Sequence, residues 1–169
     1  MASYWTKVQY TVFQILDRFP QAPESQSILV GAMFRVSTLM SKTKPAIAIV
    51  DDDASVCRAI SRLLRSLGMS ADTFTSGHEF IKHIQTMPSF RPDCVVLDVQ
   101  MPGMNGLEVQ ELLVRSEDPP PVIFITAHDE VNVRERALQA GAVAFLRKPF
   151  NDELFIKTLN EAVQRGAGD

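Results

Sequence analysis

Short apolar runs alternate with amphipathic stretches from residue 46 to the end of the last predicted helix. Five runs are apolar or β-branched enough to predict strands, and they cover residues 46–50, 71–75, 94–97, 122–125 and 142–146. After each run, apolar residues recur at helical spacing, as Val56, Ile60, Leu64 and Leu67 do after the first. Strands that alternate with helices predict a parallel sheet covered on both faces, and right-handed crossovers make it doubly wound. We therefore expect an α/β fold with five strands and five helices.

Residues with capping side chains flank several of the predicted helices. Ser55 is the predicted N-cap of the first helix and Gly68 its end, while Ser76 is the predicted N-cap of the second. The predicted N-cap of the last helix is Asn151 or Asp152, and the sequence leaves both open.

Residues 1–44 differ from the rest of the chain. Apolar residues at helical spacing predict an amphipathic helix that ends before Pro20, and residues 28–40 predict a second short helix or strand. We interpret 1–44 as an N-terminal extension and 45–169 as the folded domain. Residues 1–39 are either an upstream extension of the reading frame, with the domain starting at Met40, or a tethering arm; the sequence does not choose between them.

Charge and cysteine content narrow the class of protein. Residues 1–44 carry five Lys/Arg and two Asp/Glu, whereas 45–169 carry twelve and eighteen. An acidic main body argues against direct nucleic-acid binding. The two cysteines are too few for a secreted disulfide scaffold, and no apolar run reaches the roughly 18 residues of a membrane span. We expect a cytoplasmic protein with free thiols and no membrane contact.

Charged and polar residues stand where the predicted strands end. They are Asp51, Asp52 and Asp53 after the first run, Asp98 after the third, Thr126 after the fourth and Lys148 after the fifth. In a flavodoxin-like strand order, 2-1-3-4-5, the first and third strands are neighbours at the topological switch point, where ligands bind. Three or four carboxylates would then share a pocket, which requires a cation. Ligands that are all oxygen favour Mg²⁺.

The same pocket has the chemistry for a phosphoryl group. Lys148 supplies a fixed positive charge and Thr126 a hydroxyl donor. A carboxylate can take phosphoryl as a covalent acyl phosphate, and Asp98 is the predicted nucleophile. The other groups would stabilise the charge of the transferring oxygens.

Four separated motifs, in order, resemble those of the response-regulator receiver domains of two-component signalling, and most closely the FixJ type. They are VDDD at 50–53, LDVQMPGMNG at 97–106, FITA at 124–127 and FLRKPF at 145–150. Because four motifs agree, the resemblance is highly specific, and it covers roughly residues 46–165.

The resemblance implies a role for each matched residue. Asp98 is the phosphoacceptor, and it binds Mg²⁺ together with Asp52 and the backbone carbonyl of Gln100, while Asp51 holds the ion through water. Thr126 and Lys148 contact the phosphoryl group. The implied switch aromatic is Phe145, whose rotamer follows Thr126, and the Lys148–Pro149 peptide is implied to be cis.

The resemblance also implies partners. A sensor histidine kinase would phosphorylate the domain, whose only chemistry is then self-phosphorylation and self-dephosphorylation, so we do not expect an enzyme. The surface around 130–148 would change and signal to an unknown downstream protein, and a phosphorylation-linked homodimer is a further hypothesis. No DNA-binding output domain is recognisable in the chain, which is typical of a stand-alone receiver; a fragment of a longer regulator remains an alternative.

Two rival functions remain open. Asp51 and Asp53 fit the DxD pattern of haloacid-dehalogenase-like phosphatases, although Ser55 stands one place beyond the expected Thr or Val and no cap domain is apparent. A pseudo-receiver that binds a partner without phosphorylation is the second alternative. At single positions, Asp53 is alternatively a helix cap, and Phe145 alternatively ordinary packing.

Overall fold

The computed structural model describes residues 44–127 and 131–166. The two elements predicted within residues 1–44 lie outside this part of the chain. The described residues belong to one compact unit that begins at Lys44. No helix among them is both long and apolar enough to cross a membrane.

Within the described residues, five parallel strands form one sheet in the order β2-β1-β3-β4-β5. The strands are β1 Ala46–Val50, β2 Ser70–Phe74, β3 Cys94–Asp98, β4 Val122–Thr126 and β5 Ala144–Arg147. This order confirms the predicted doubly wound, flavodoxin-like fold. Strand β3 is buried along its whole length at the centre of the sheet, as its unbroken apolar run predicts.

Five described helices connect and follow these strands. They are α1 Ala54–Ser66, α2 Gly77–Thr86, α3 Gly106–Leu113, α4 Val131–Gln139 and α5 Asp152–Gly166. Buried residues of α2, α3 and α4 belong to one apolar cluster, and those of α1 and α5 to a second. Alternate residues of β3 divide between the two clusters, with Val95 in the first and Val96 in the second. The helices therefore cover the two faces of the sheet.

Of the predicted N-caps, one is wrong, one is confirmed, and one that the sequence left open between two residues is now assigned. Asp53, not Ser55, is the N-cap of α1, because Asp53 has extended backbone and its side chain accepts a hydrogen bond from the Ser55 amide at 2.7 Å. Ser76 caps α2 as predicted, with its side chain accepting from the backbone amide of Glu79. For α5 the structure selects Asn151, whose Oδ1 accepts from the Glu153 amide at 2.6 Å.

Strand β1 has its predicted bounds, and the other strand boundaries differ from the predicted ones by one or two residues. Strands β3 and β4 extend one residue further than predicted and so include Asp98 and Thr126. Strand β5 begins at Ala144 rather than at residue 142. The reason is that the Ala142 amide still donates to the Ala137 carbonyl at 3.0 Å, which keeps residue 142 in the turn that ends α4.

Candidate functional site

The ends of β1 and β3 lie side by side at the centre of the sheet. Val50 is in register with Leu97, so Asp51 and Asp98, one residue further along, leave the sheet at neighbouring positions. Both residues are buried, with Asp51 0% and Asp98 5% exposed. The Asp51 carboxylate is oriented by the backbone amide of Asp53, which donates to its Oδ1 at 2.9 Å.

Lys148 joins these two carboxylates. Its Nζ donates to Asp51 Oδ2 at 2.6 Å and to Asp98 Oδ1 at 2.8 Å. The Lys148 amide donates to the Thr126 carbonyl at 2.7 Å, which fixes the start of this side chain beside the end of β4. The two carboxylate oxygens therefore lie within two hydrogen-bond lengths of each other. The peptide between Lys148 and Pro149 is cis, which confirms the conformation implied by the resemblance.

The carboxylates of Asp51 and Asp98 share the single ammonium of Lys148, so two negative charges face one positive charge. Burial raises the pKa of Asp98 above its ordinary value, although the hydrogen bond and charge of Lys148 act in the opposite direction. For Lys148, burial lowers the pKa, but the hydrogen bonds to Asp51 and Asp98 and the attraction of their charges outweigh it, so the pKa is raised. The Lys148 ammonium therefore stays charged, and its one positive charge is divided between the two carboxylates.

The loop after Asp98 is held by a close backbone contact and a capping box. A Cβ on Gly106 would collide with the carbonyl oxygen of Asp98 and lie 3.0 Å from the Phe124 ring, so only glycine fits there. Asn105 Oδ1 accepts from the Glu108 amide at 3.0 Å, and Glu108 Oε2 accepts from the Asn105 amide at 2.8 Å. Sequence reasoning assigned this stretch to a turn and missed the box, although its N-x-x-E spacing is a recognisable signal.

Thr126 and Phe145 lie on neighbouring strands and on one face of the sheet. Thr126 is fully buried at the end of β4. Phe145 is in register with Phe124, two residues before Thr126, and side chains two apart point to the same face. The Phe145 ring is 5% exposed, and its centroid lies 6.0 Å from that of Phe124. The guanidinium carbon of Arg134 lies 5.8 Å from the Phe145 centroid.

The remaining predicted residues lie at the rim. Asp52 and Gln100 are exposed, and the Gln100 backbone donates to the Asp98 carboxyl. Asp53 caps α1, as the alternative interpretation has it, and the hydrogen bond from the Ser55 hydroxyl lowers its pKa. The structure thus brings together Asp51, Asp98 and Lys148, and it does not place Asp53 with them.

The donor set suits a hard cation by its chemistry. Within residues 44–127 and 131–166 no three acidic, His or Cys side chains are arranged as a metal cluster. Two buried carboxylates against one ammonium nevertheless leave a net negative charge in a largely buried notch, and the carboxylate ligands on offer are oxygen donors. Such a site favours a further cation of the Mg²⁺ type.

Comparison with known protein families agrees with this geometry. The family model described as "Response regulator receiver domain" matches residues 47–160, more than half of the chain. The chain therefore belongs to the response regulator receiver domain family, and its similarity to FixJ proteins confirms the predicted type.

The chain is similar in sequence to several individual proteins. It is 38% identical over 125 residues to nodulation protein W of Bradyrhizobium diazoefficiens, covering 74% of this chain and 54% of that protein. It is 32% identical over 123 residues to the transcriptional regulatory protein FixJ of the same organism, covering 73% and 58%. A crystal structure of a response regulator receiver protein from Burkholderia phymatum is 62% identical, with a TM-score of 0.65 and coverage of 72% and 96%. The chain spans about half the length of the curated relatives it matches.

Proposed function

We propose that this receiver domain accepts a phosphoryl group on Asp98 and uses it to change the surface formed by α4 and β5. The observation that carries the proposal is the contact of one ammonium, Lys148 Nζ, with both Asp51 and Asp98 at hydrogen-bond distance. That arrangement presents a carboxylate nucleophile beside a fixed positive charge, which is what a transferring phosphoryl group needs.

The donor in this proposal is a phosphohistidine of a sensor histidine kinase. An Asp98 carboxylate oxygen forms a bond to phosphorus as the bond between phosphorus and the imidazole nitrogen breaks, and the imidazole keeps the electron pair. Asp98 must be ionised to attack. Lys148 favours that form, against the burial that raises the Asp98 pKa.

Mg²⁺ is the proposed cofactor. Asp52, Asp98 and the backbone carbonyl of Gln100 would hold the ion, with Asp51 acting through water. When bound, Mg²⁺ supplies positive charge to the phosphoryl oxygens. The unbalanced charge of Asp51 and Asp98 around Lys148 supports this assignment.

The signal would leave the site through Thr126 and Phe145. Thr126 is the proposed hydroxyl contact of the phosphoryl group, and Phe145 the aromatic whose rotamer follows it. Their positions on one face of neighbouring strands support the pair, because a change at Thr126 then reaches Phe145 through packed side chains. The resulting surface would contact an unknown downstream protein or a second copy of this chain.

Incubation with acetyl phosphate and Mg²⁺, followed by intact mass measurement, tests the proposal. We expect wild type to gain the mass of one phosphoryl group, and Asp98→Asn to gain none. Omitting Mg²⁺ should abolish the gain in wild type. An unchanged wild-type mass would favour the pseudo-receiver alternative. Turnover of a generic phosphate ester that is lost in Asp51→Asn but kept in Asp98→Asn would favour the phosphatase alternative.

A further inference from the structure

Gln110 is a buried polar side chain that links two helices on the same face of the sheet. It lies on α3 and is 1% exposed. Its Nε2 donates to the Ala137 carbonyl at 3.0 Å and to the Ala140 carbonyl at 3.3 Å. These carbonyls belong to the end of α4 and the turn after it, where a helix lacks donors of its own. A side chain of α3 therefore caps the C-terminal end of α4.

The same end of α4 is held in two further ways. The amides of Gly141 and Ala142 donate back to the carbonyls of Leu138 and Ala137, both at 3.0 Å. Ala137 is also the one buried residue of α4 as described. By contrast, Val131 at the other end is 68% exposed. Helix α4 is thus fastened by hydrogen bonds at its C-terminal end, whereas toward its N-terminal end Val133 is only partly buried against the apolar cluster and Arg134 lies over the Phe145 ring.

The link through Gln110 depends on its amide. A leucine of similar size would keep the packing but lose both hydrogen bonds, so the Ala140 carbonyl would lose this donor and the Ala137 carbonyl would keep only the Ala142 amide. A further polar contact between α3 and α4, from Arg136 to Glu111, spans 4.0 Å between exposed side chains and contributes little.

We propose that Gln110 is a positioning residue that anchors the C-terminal end of α4, so that phosphoryl-linked displacement of α4 is confined to its N-terminal half. This inference rests on the proposed function, since the displacement follows from phosphorylation of Asp98. The anchor makes α4 a lever with one fixed end, and its N-terminal half, where the guanidinium carbon of Arg134 lies 5.8 Å from the Phe145 centroid, is the part that responds. Without the anchor, both ends move and the surface of α4 and β5 loses its defined response.

Hydrogen exchange of the full chain, read by mass spectrometry with and without acetyl phosphate and Mg²⁺, tests the anchor. In wild type we expect phosphorylation to change exchange in residues 131–135 by about threefold or more, with 136–142 staying within about twofold. In unmodified Gln110→Leu and Gln110→Glu, exchange in 136–142 should rise by about tenfold, the effect expected for lost hydrogen bonds.

A matched control separates this role from a general loss of stability. Thr158 is also buried and donates to a helix carbonyl, that of Leu154 at 2.8 Å in α5. Thr158→Val should leave exchange in 136–142 unchanged, and the strands should exchange alike in Thr158→Val and Gln110→Leu.

Two results would overturn the anchor. One is an equal change of exchange along the whole of α4 when wild type is phosphorylated, which does not require any variant to fold. The other is an exchange rate in residues 136–142 of Gln110→Leu that equals the wild-type rate. Intact mass of the same wild-type samples reports phosphoryl acceptance separately, so a missing mass gain contradicts the proposed function, whereas a normal gain with either exchange result contradicts only the anchor.

Discussion

At the scale of single residues, the site contains two carboxylates and one ammonium, so its negative charge exceeds its positive charge. Lys148 holds Asp51 and Asp98 in a notch where their side chains are 1% and 7% exposed, and its own side chain is 20% exposed. Removing the ammonium leaves two buried carboxylates without a counter-charge, which is more costly than losing an exposed ion pair. The same imbalance makes the notch receptive to added positive charge.

Replacing Lys148 should therefore destabilise the fold as well as impair phosphorylation. We expect Lys148→Met to lower the free energy of unfolding by roughly 2 to 4 kcal/mol near neutral pH, measured by urea unfolding. Lys157→Met, at an exposed position of α5, should change it by less than about 0.5 kcal/mol. Adding Asp98→Asn to Lys148→Met should recover part of the loss. Equal effects of the two lysine substitutions would contradict the account.

The raised pKa of Asp98 predicts a pH dependence of stability with a defined sign. Because the folded state binds this proton more tightly than the unfolded chain, stability from this group falls as pH rises from about 4, the ordinary Asp value, through the raised pKa. Asp98→Asn should therefore be more stable than wild type at neutral pH, and the difference should shrink on acidification. Asp72→Asn, at an exposed position of β2, is the control. A stability difference between Asp98→Asn and wild type that grows on acidification would contradict the predicted direction of the pH dependence.

At the scale of elements, the junction between β3 and α3 sets the position of Asp98. Gly106 begins α3, and its amide donates to the Val99 carbonyl at 2.9 Å. The helix approaches the Asp98 backbone so closely that a single Cβ has no room, and backbone atoms cannot move aside as a flexible side chain can.

Gly106→Ala should consequently disturb both stability and the site. We expect a loss of about 1 to 3 kcal/mol in the free energy of unfolding, together with slower phosphorylation by acetyl phosphate. Gly166→Ala is the matched control, since the atoms nearest to its Cβ are 3.4 Å away or further and it lies in a helix. That change should be neutral or stabilising. A Gly106→Ala protein as stable as Gly166→Ala would show that α3 adjusts freely.

The elements also show where sequence reasoning succeeds and fails. Buried strands were predictable because their apolar runs are unbroken, and β1 matches its predicted bounds. The N-cap of α1 was not predictable, because Asp53 and Ser55 are both good capping residues and only the backbone angles decide between them. The contact of Gln110 with α4 joins residues 27 positions apart and leaves no local pattern in the sequence.

At the scale of the whole molecule, topology explains why the meeting of Asp51 and Asp98 was predictable. Parallel strands in the order β2-β1-β3-β4-β5 place the ends of β1 and β3 together, so the residues after two apolar runs must meet. The number of carboxylates that share the notch was not predictable, because three acids follow β1 directly: Asp51 is buried there, Asp52 is exposed at the rim and Asp53 caps α1.

The surface of α4, β5 and α5 is where the proposed homodimer would form. A groove of about 620 Å³ lies there, lined in part by Leu138 and Leu154, which are 43% and 51% exposed. With acetyl phosphate and Mg²⁺, we expect the sedimentation coefficient of wild type to rise toward that of a dimer. Leu138→Glu should prevent the rise without changing phosphoryl incorporation, since a charge in an apolar contact opposes association.

Leu67→Glu provides the control for this surface. Leu67 is similarly exposed, at 41%, but lies at the end of α1. This variant should associate as wild type does. A sedimentation coefficient of wild type that phosphorylation leaves unchanged would exclude the homodimer.

The most direct test of the central claim is to locate the phosphoryl group on the chain. Borohydride reduces an aspartyl phosphate to homoserine, which peptide mass spectrometry can assign to one position. After treatment with acetyl phosphate and Mg²⁺, the account predicts homoserine at position 98 alone. Homoserine at position 51, 52 or 53, or at none of the four positions, would contradict it.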